Sequence, residues 1–170
     1  MSGDDGYFTA AAFGSNQTYA YFGDYSLTSY HTFLRFPNVS IPAGATIVSA
    51  YLRMRAALDK SGTVCNVNVY FNDADDAVAP TDAAEGNGLS LTGAVAWDGV
   101  PAFVAGTYYN SPELKTILQT VIDRLGWASG QAIMAVIKDN GSDDNAYRRP
   151  TAVDYNGGSN PPELYVEWTP

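Results

Sequence analysis

The sequence predicts a mostly β protein, an antiparallel sandwich with a single amphipathic helix, and three observations lead there. In 31–36 and 46–55 apolar and polar side chains alternate; Val48, Ala50, Leu52 and Met54 oppose Ile47, Ser49, Tyr51, Arg53 and Arg55, the period-2 pattern of strands that bury one face. Tyrosine is abundant, with 12 residues beside 7 Phe and 3 Trp, while charged residues make up only 16%, a balance that suits a β-rich protein with a neutral polar surface. Only 111–125 carries a convincing helical stripe. The 170 residues suit one domain over 1–170, since a chain of that size buries roughly 70% of its extended surface and needs no second unit to complete a core.

Taken in order, Asp4-Asp5-Gly6-Tyr7 opens the fold, and Tyr19 to Phe22 reads as an early strand after the polar Ser15-Asn16-Gln17 turn. The central pair 31–36 and 46–55 is separated by Pro37, Pro42 and Gly44; proline has no N–H for the ladder and glycine tolerates positive φ, so the chain leaves the sheet there and returns. A turn over Asp59–Gly62 leads into a strand at Val64–Phe71 whose odd positions, Cys65 among them, face inward. Cys65 is the only cysteine, so it reads as a small core hydrophobe and excludes an intramolecular disulfide. The segment from Asn72 to Pro80 and on to Asn87-Gly88 reads as a long loop, of the kind that compact domains reserve for function.

In the helix Ser111 is the expected N-cap, Pro112 the first residue and Glu113 the partner of the dipole, with Leu114, Ile117, Leu118, Val121, Ile122 and Leu125 as the buried stripe and Gly126 as the stop. That stripe lies as a lid across the sandwich core. Residues 132–137 are apolar on both faces, as in a strand covered from both sides. A strand near 146–155 and a closing strand at 163–169, with Leu164, Val166 and Trp168 inward, complete the chain.

The phrase FLRFPNVSIPAGATIVSAYLRM, the corner Trp127-Ala128-Ser129-Gly130 and the ending PPELYVEW resemble the DNRLRE, or disaggregatase-related, modules. The resemblance runs from Asp5 to Trp168 and departs at Thr120, where those modules often carry an acidic residue after the helix glutamine. It implies a jelly-roll-like sandwich of a kind found in extracellular, polysaccharide-degrading and phage structural proteins. Residues 111–130 and 139–148 look most like versions seen in phage virion and marine metagenomic proteins.

Several chemistries find no support. A net charge of −9, with no basic cluster beyond Arg148-Arg149, argues against a groove that tracks phosphates, so no nucleic acid is expected. No stretch approaches the ~18 apolar residues of a membrane span, and the N-terminus has neither a basic region nor an apolar run, so the chain is expected to act without export or to be an excised module. The lone His31 has no serine or cysteine placed beside it by a recognisable elbow, and the pairs Asp75-Asp76 and Asp143-Asp144 are adjacent rather than set across a cleft, so no catalytic residue is assigned. The sequons at Asn16, Asn38 and Asn140 carry no weight in so Asn-, Ser- and Thr-rich a chain.

Two candidate sites remain. Asp73, Asp75 and Asp76 offer hard oxygens on a tight turn, either as ligands of a structural calcium ion or as a solvated acidic turn. Tyr108, Tyr109, Tyr147, Arg148, Arg149 and Tyr155 have the composition of a carbohydrate or partner contact, with rings for stacking and cations for hydrogen bonds; the alternatives are tyrosines packed in the sandwich rim and, at Arg148, a buried structural charge. The expected function is a non-catalytic phage decoration or tail-associated protein on the virion surface, bound to capsid or tail proteins and to a host glycan. The alternative is a carbohydrate-binding module of a secreted polysaccharide-degrading enzyme or cell-surface adhesin. A homo-oligomer, or a protein ordered on a repetitive assembly, is expected of the virion protein, because the closing strand carries Tyr165 and Glu167 outward, a mixture that neither repels nor hides an edge; a strict monomer would favour the carbohydrate-binding module.

Overall fold

The computed structural model describes residues 3–60 and 64–170. Its strands are β1 (Asp5–Phe8), β2 (Phe13–Ser15), β3 (Phe22–Tyr25), β4 (Thr28–Phe36), β5 (Thr46–Arg55), β6 (Val67–Phe71), β7 (Val95–Trp97), β8 (Tyr108–Asn110), β9 (Ile133–Asp139), β10 (Tyr147–Arg148) and β11 (Glu163–Thr169). Two helices, α1 (Ala83–Asn87) and α2 (Lys115–Ile122), and a 3-10 turn at Tyr155–Gly157 complete the elements. All strand pairs are antiparallel. The β-sandwich expected from the sequence therefore forms, in an unequal version. A large sheet runs β10-β3-β4-β9-β6-β7, with β1 on β4 and β2 on β1, and a small sheet runs β11-β5-β8.

The core between the sheets follows from the alternation. Ala50, Leu52 and Met54 of β5 face Val67, Val69 and Phe71 of β6 and Ile133, Ala135 and Ile137 of β9, all buried. A second, smaller core lies where Phe8, Phe33, Met134 and Val136 pack with Ala77, Leu89 and Leu91 of the 72–93 segment. That second layer explains why β9 is apolar on both faces: each face has its own cover.

Five expectations are corrected. The early strand lies at Phe22–Tyr25 and not at Tyr19 to Phe22, with Tyr19 making only an isolated bridge to Thr151. The β6 strand begins at Val67, not Val64, and the turn expected over Asp59–Gly62 falls partly outside the described residues. Val48 does not share the inward face of Ala50. β5 bulges there, with Ser49 opposite Glu167 and Ile47 opposite Trp168, so the extra residue Val48 turns out and Ile47 turns in. The 146–155 strand shrinks to Tyr147–Arg148, and the long loop holds α1, capped by Asp82 and laid with Gly86 against Phe8, where a Cβ would approach the ring to 2.8 Å.

The helix is shorter than 111–125 because its expected cap is used elsewhere. Ser111 Oγ accepts the Leu52 N–H and donates to the Pro112 carbonyl, while Glu113 accepts the N–H groups of Ala50 and Lys115. The helix is thus tied to β5 before it begins. Leu114, Ile117, Leu118, Val121 and Ile122 are buried as expected, but Leu125 lies beyond the last turn and is fully exposed. Gln119 clamps the other end of β5, accepting from Ile47 N–H and donating to the Ala45 carbonyl. Trp127 is buried, with its indole N–H on the Ile41 carbonyl.

Candidate functional site: a tyrosine face on the large sheet

The edge formed by β1, β3, β4 and β10 gathers tyrosines from positions up to 148 residues apart in the chain, Tyr7 and Tyr155 at the extremes. Tyr7 lies 5.3 Å from both Tyr21 and Tyr30 between ring centroids. Tyr21 approaches Tyr30 at 5.6 Å and Tyr147 at 6.5 Å, Tyr25 approaches Tyr147 at 4.8 Å, and Tyr19 meets Tyr155 at 6.0 Å. These are the separations at which aromatic rings attract through offset or edge-on geometry. The register makes the gathering possible: Gly23 pairs with Tyr30 on one side and with Tyr147 on the other. Gly23 has φ +98° and a Cβ there would sit 2.4 Å from the Ala146 carbonyl oxygen, so the position demands glycine.

Cations sit among the rings. The Arg149 guanidinium lies 4.5 Å from the Tyr19 centroid and 4.6 Å from that of Tyr21, Lys60 Nζ lies 4.6 Å from Tyr147, and Arg55 lies 5.8 Å from Tyr155. Arg35, Arg53 and Arg124 are ion-paired; among the described residues Arg55, Lys60 and Arg149 are not. Arg149 Nε is buried without a hydrogen-bond partner. None of the seven tyrosine hydroxyls hydrogen-bonds to another described residue, and they stay open to water. Burial raises the pKa of Tyr21, against the pull of Arg149, and raises that of Tyr30, with Tyr7, Tyr25 and Tyr147 adding to it, so both remain neutral phenols able to donate and to accept.

The six residues expected to form one contact are divided. Arg149 and Tyr155 lie in the tyrosine face, and Tyr147 forms its floor, 8% exposed. Arg148 does not belong to it. Alternation along β10 turns Arg148 to the opposite side, where it is 1% exposed and donates to the carbonyls of Pro101, Tyr147 and Val100; this is the structural charge, with its pKa lowered by burial. Tyr108 and Tyr109 are likewise separated by their strand. Tyr109 turns inward, stacked 4.4 Å from Phe103, with its hydroxyl on the Ala102 carbonyl, whereas Tyr108 lies on the outer face of the small sheet under Arg53. Tyr7, Tyr19, Tyr21, Tyr25, Tyr30 and Lys60 were not expected in a site. The period-2 spacing of tyrosines at 19, 21 and 25 is the signal that points to them.

The acidic turn is occupied from within. Arg124 pairs with both Asp73 and Asp75, and Asp76 accepts the Ala132 N–H. A calcium ion on this turn would have to displace Arg124, and among the described residues no three metal-ligating side chains converge. Near His31, Ser29 donates to Asp139 Oδ2 at 2.9 Å, and the imidazole Nδ1 accepts the Asp139 N–H at 3.1 Å. The serine hydroxyl is therefore directed at the carboxylate and not at the histidine, unlike a nucleophile and its base. Among the described residues no helix is long and apolar enough to cross a membrane.

No protein-family model matches the chain, and no curated protein matches it either.

Proposed function

We propose that the protein is a non-catalytic surface protein of a phage particle, a decoration or tail-associated component that self-associates, docks on capsid or tail proteins and holds a glycan on its tyrosine face. The glycan reading is carried by one observation: seven tyrosines, five of them half-buried, whose hydroxyls no described residue engages surround cations that no described carboxylate pairs with. Sugar rings present C–H faces that pack on aromatic rings and hydroxyls that bond to phenols and guanidinium groups. Three unpaired cations on a chain of net charge −9 favour a sugar that carries a carboxylate or sulfate, because an anion gains most where the local field opposes the protein's own. The particle reading rests on the resemblance to phage members of the DNRLRE modules.

The test is a glycan panel that sets neutral polysaccharides against uronic-acid and sulfated ones, read by calorimetry. Acidic glycans are expected to bind, with affinity falling several-fold, up to about tenfold, in Tyr21→Ala, the loss of one stacking contact worth ~0.5–1.5 kcal/mol. Arg149→Gln should weaken the preference for acidic over neutral sugars. No binding to any member of the panel would sink the glycan reading. The open, one-sided tyrosine face also suits the alternative, a carbohydrate-binding module of a secreted enzyme or adhesin; immunolabelling of particles separates the two.

A further inference from the structure

Strand β11 closes one side of the small sheet. It pairs with β5, and among the described residues no strand pairs with its other edge. Its inward residues are incompletely covered: Leu164 and Val166 are half-buried and Trp168 is 38% exposed. With Phe36, Val39 and Ile41 they line a groove of about 350 Å³ beside the open edge. Edge strands are ordinarily blunted by lysine, by proline or by a bulge of their own. β11 has no lysine and no bulge of its own, since the bulge belongs to β5 at Val48; Pro162 and Pro170 stand just outside the strand, and its charges are two glutamates, of which Glu163 is paired with Arg53.

The side-chain order of β11 is self-complementary in one register. In an antiparallel pair, directly opposed residues share a face, so two copies of β11 must pair about a residue of the strand. Centred on Val166, Leu164 meets Trp168, Tyr165 meets Glu167 and Glu163 meets Thr169, while Pro162 and Pro170, which cannot extend a ladder, meet at its ends. Centring on Tyr165 sets Glu163 against Glu167, and centring on Glu167 sets that residue against its own copy, both with like charges directly opposed. Centring on Leu164 or Trp168 brings a proline opposite Val166.

We propose that a second copy of this chain docks on β11 about a twofold axis through Val166, joining two small sheets into one continuous sheet and covering both apolar grooves. This rests on the self-association proposed above but not on what the tyrosine face binds. The two Glu167 side chains are diagonal neighbours across the axis, at ~7–8 Å, so the dimer should tighten as salt rises.

Sedimentation at tens of micromolar should find a dimer, and Val166→Cys should be joined by a short bis-maleimide. Val48→Cys, exposed on the neighbouring strand, should not; the native Cys65 is buried and spared. Val166→Lys places two cations on the axis and should raise the dissociation constant about tenfold or more. A monomeric wild type would overturn both self-association and this contact. A dimer that resists Val166→Lys, with no Val166→Cys cross-link, would overturn the contact and leave self-association standing; the cross-link decides alone should Val166→Lys fail to fold.

Discussion

The two tyrosine-bearing surfaces use the same side chain in opposite ways. On the small sheet Tyr51 stacks on Tyr165 at 4.6 Å, the Tyr165 hydroxyl is taken by Glu167, and the Tyr108 hydroxyl donates to Asn160 at 2.9 Å. The local cation is also committed, since Arg53 lies over Tyr108 and pairs with Glu163 at 2.9 Å. On the large sheet seven rings have solvent-facing hydroxyls, and Arg55, Lys60 and Arg149 have rings rather than carboxylates beside them. What differs is the neighbour: β11 brings carboxylates to its tyrosines, whereas β1, β3 and β10 bring more tyrosine. A surface whose polar groups satisfy one another gains little from a polar ligand, because binding must first break those bonds. One whose polar groups are only hydrated exchanges water for ligand, which is why the large sheet carries the candidate site.

The strongest way to break this contrast is to loosen the sandwich that keeps the surfaces apart. Helix α2 touches both β5 of the small sheet and β6 of the large one, and Leu118 is buried at that junction. Leu118→Ala should cost about 2–5 kcal/mol, the range for a leucine truncated in a packed core, read from urea denaturation. A loss below about 0.5 kcal/mol would mean that the helix does not close the core.

The large sheet should also answer to pH through two groups that work against each other. Asp5 of β1 is fully buried; desolvation, opposed by the Val153 N–H and reinforced by Asp154 and Asp4, pushes its pKa up to about 6. The folded state thus holds its proton more tightly than the unfolded chain, so this group adds stability as pH falls from about 6 towards 3.8. His31 of β4 is pushed down to about 4, by burial first and by Lys138 second, with Asp139 opposing. Here the unfolded chain takes the proton first, and stability is lost as pH falls from 6.5 towards about 4. Each contribution is about 3 kcal/mol at most, so from these two groups the wild type should be nearly flat across the window. Asp5→Asn should expose the histidine's loss on acidification and His31→Gln the carboxyl's gain, as melting temperatures moving in opposite directions. Parallel slopes in the two variants would refute the opposition.

The fold was legible where a pattern is local, and the site was not, because it is made by register. Alternation in 46–55 marks β5 correctly, yet it cannot place Val48, whose orientation depends on Glu167 and Trp168 more than 100 residues away pairing with Ser49 and Ile47. Ser111 has every local mark of a helix cap, and the Leu52 N–H claims it first. Arg148 and Arg149 look alike in the sequence and turn to opposite sides at the end of β10, one in the core and one beside two rings. The tyrosine face needed β10, β3, β4 and β1 in order, and no window of sequence contains that order.

The smallest expected effects sharpen the contrast most, because they remove only a hydroxyl. Tyr108→Phe and Tyr165→Phe each break a bond made inside the molecule at an exposed site, so each should lower stability slightly and leave glycan affinity unchanged. Tyr21→Phe and Tyr30→Phe remove hydroxyls that no described residue engages. Those two should leave stability within about 0.3 kcal/mol of wild type, since water alone is released in both the folded and unfolded states. They should instead weaken the acidic glycan, each by the share of one neutral hydrogen bond, about 0.5–1.5 kcal/mol or several-fold in affinity. The four variants, melted and titrated side by side, give a crossed pattern: stability moves only for the small sheet and affinity only for the large. Equal losses of stability in Tyr21→Phe and Tyr108→Phe would show that the hydroxyls of the two surfaces are committed alike, and the distinction between a closed tyrosine face and an open one would fall.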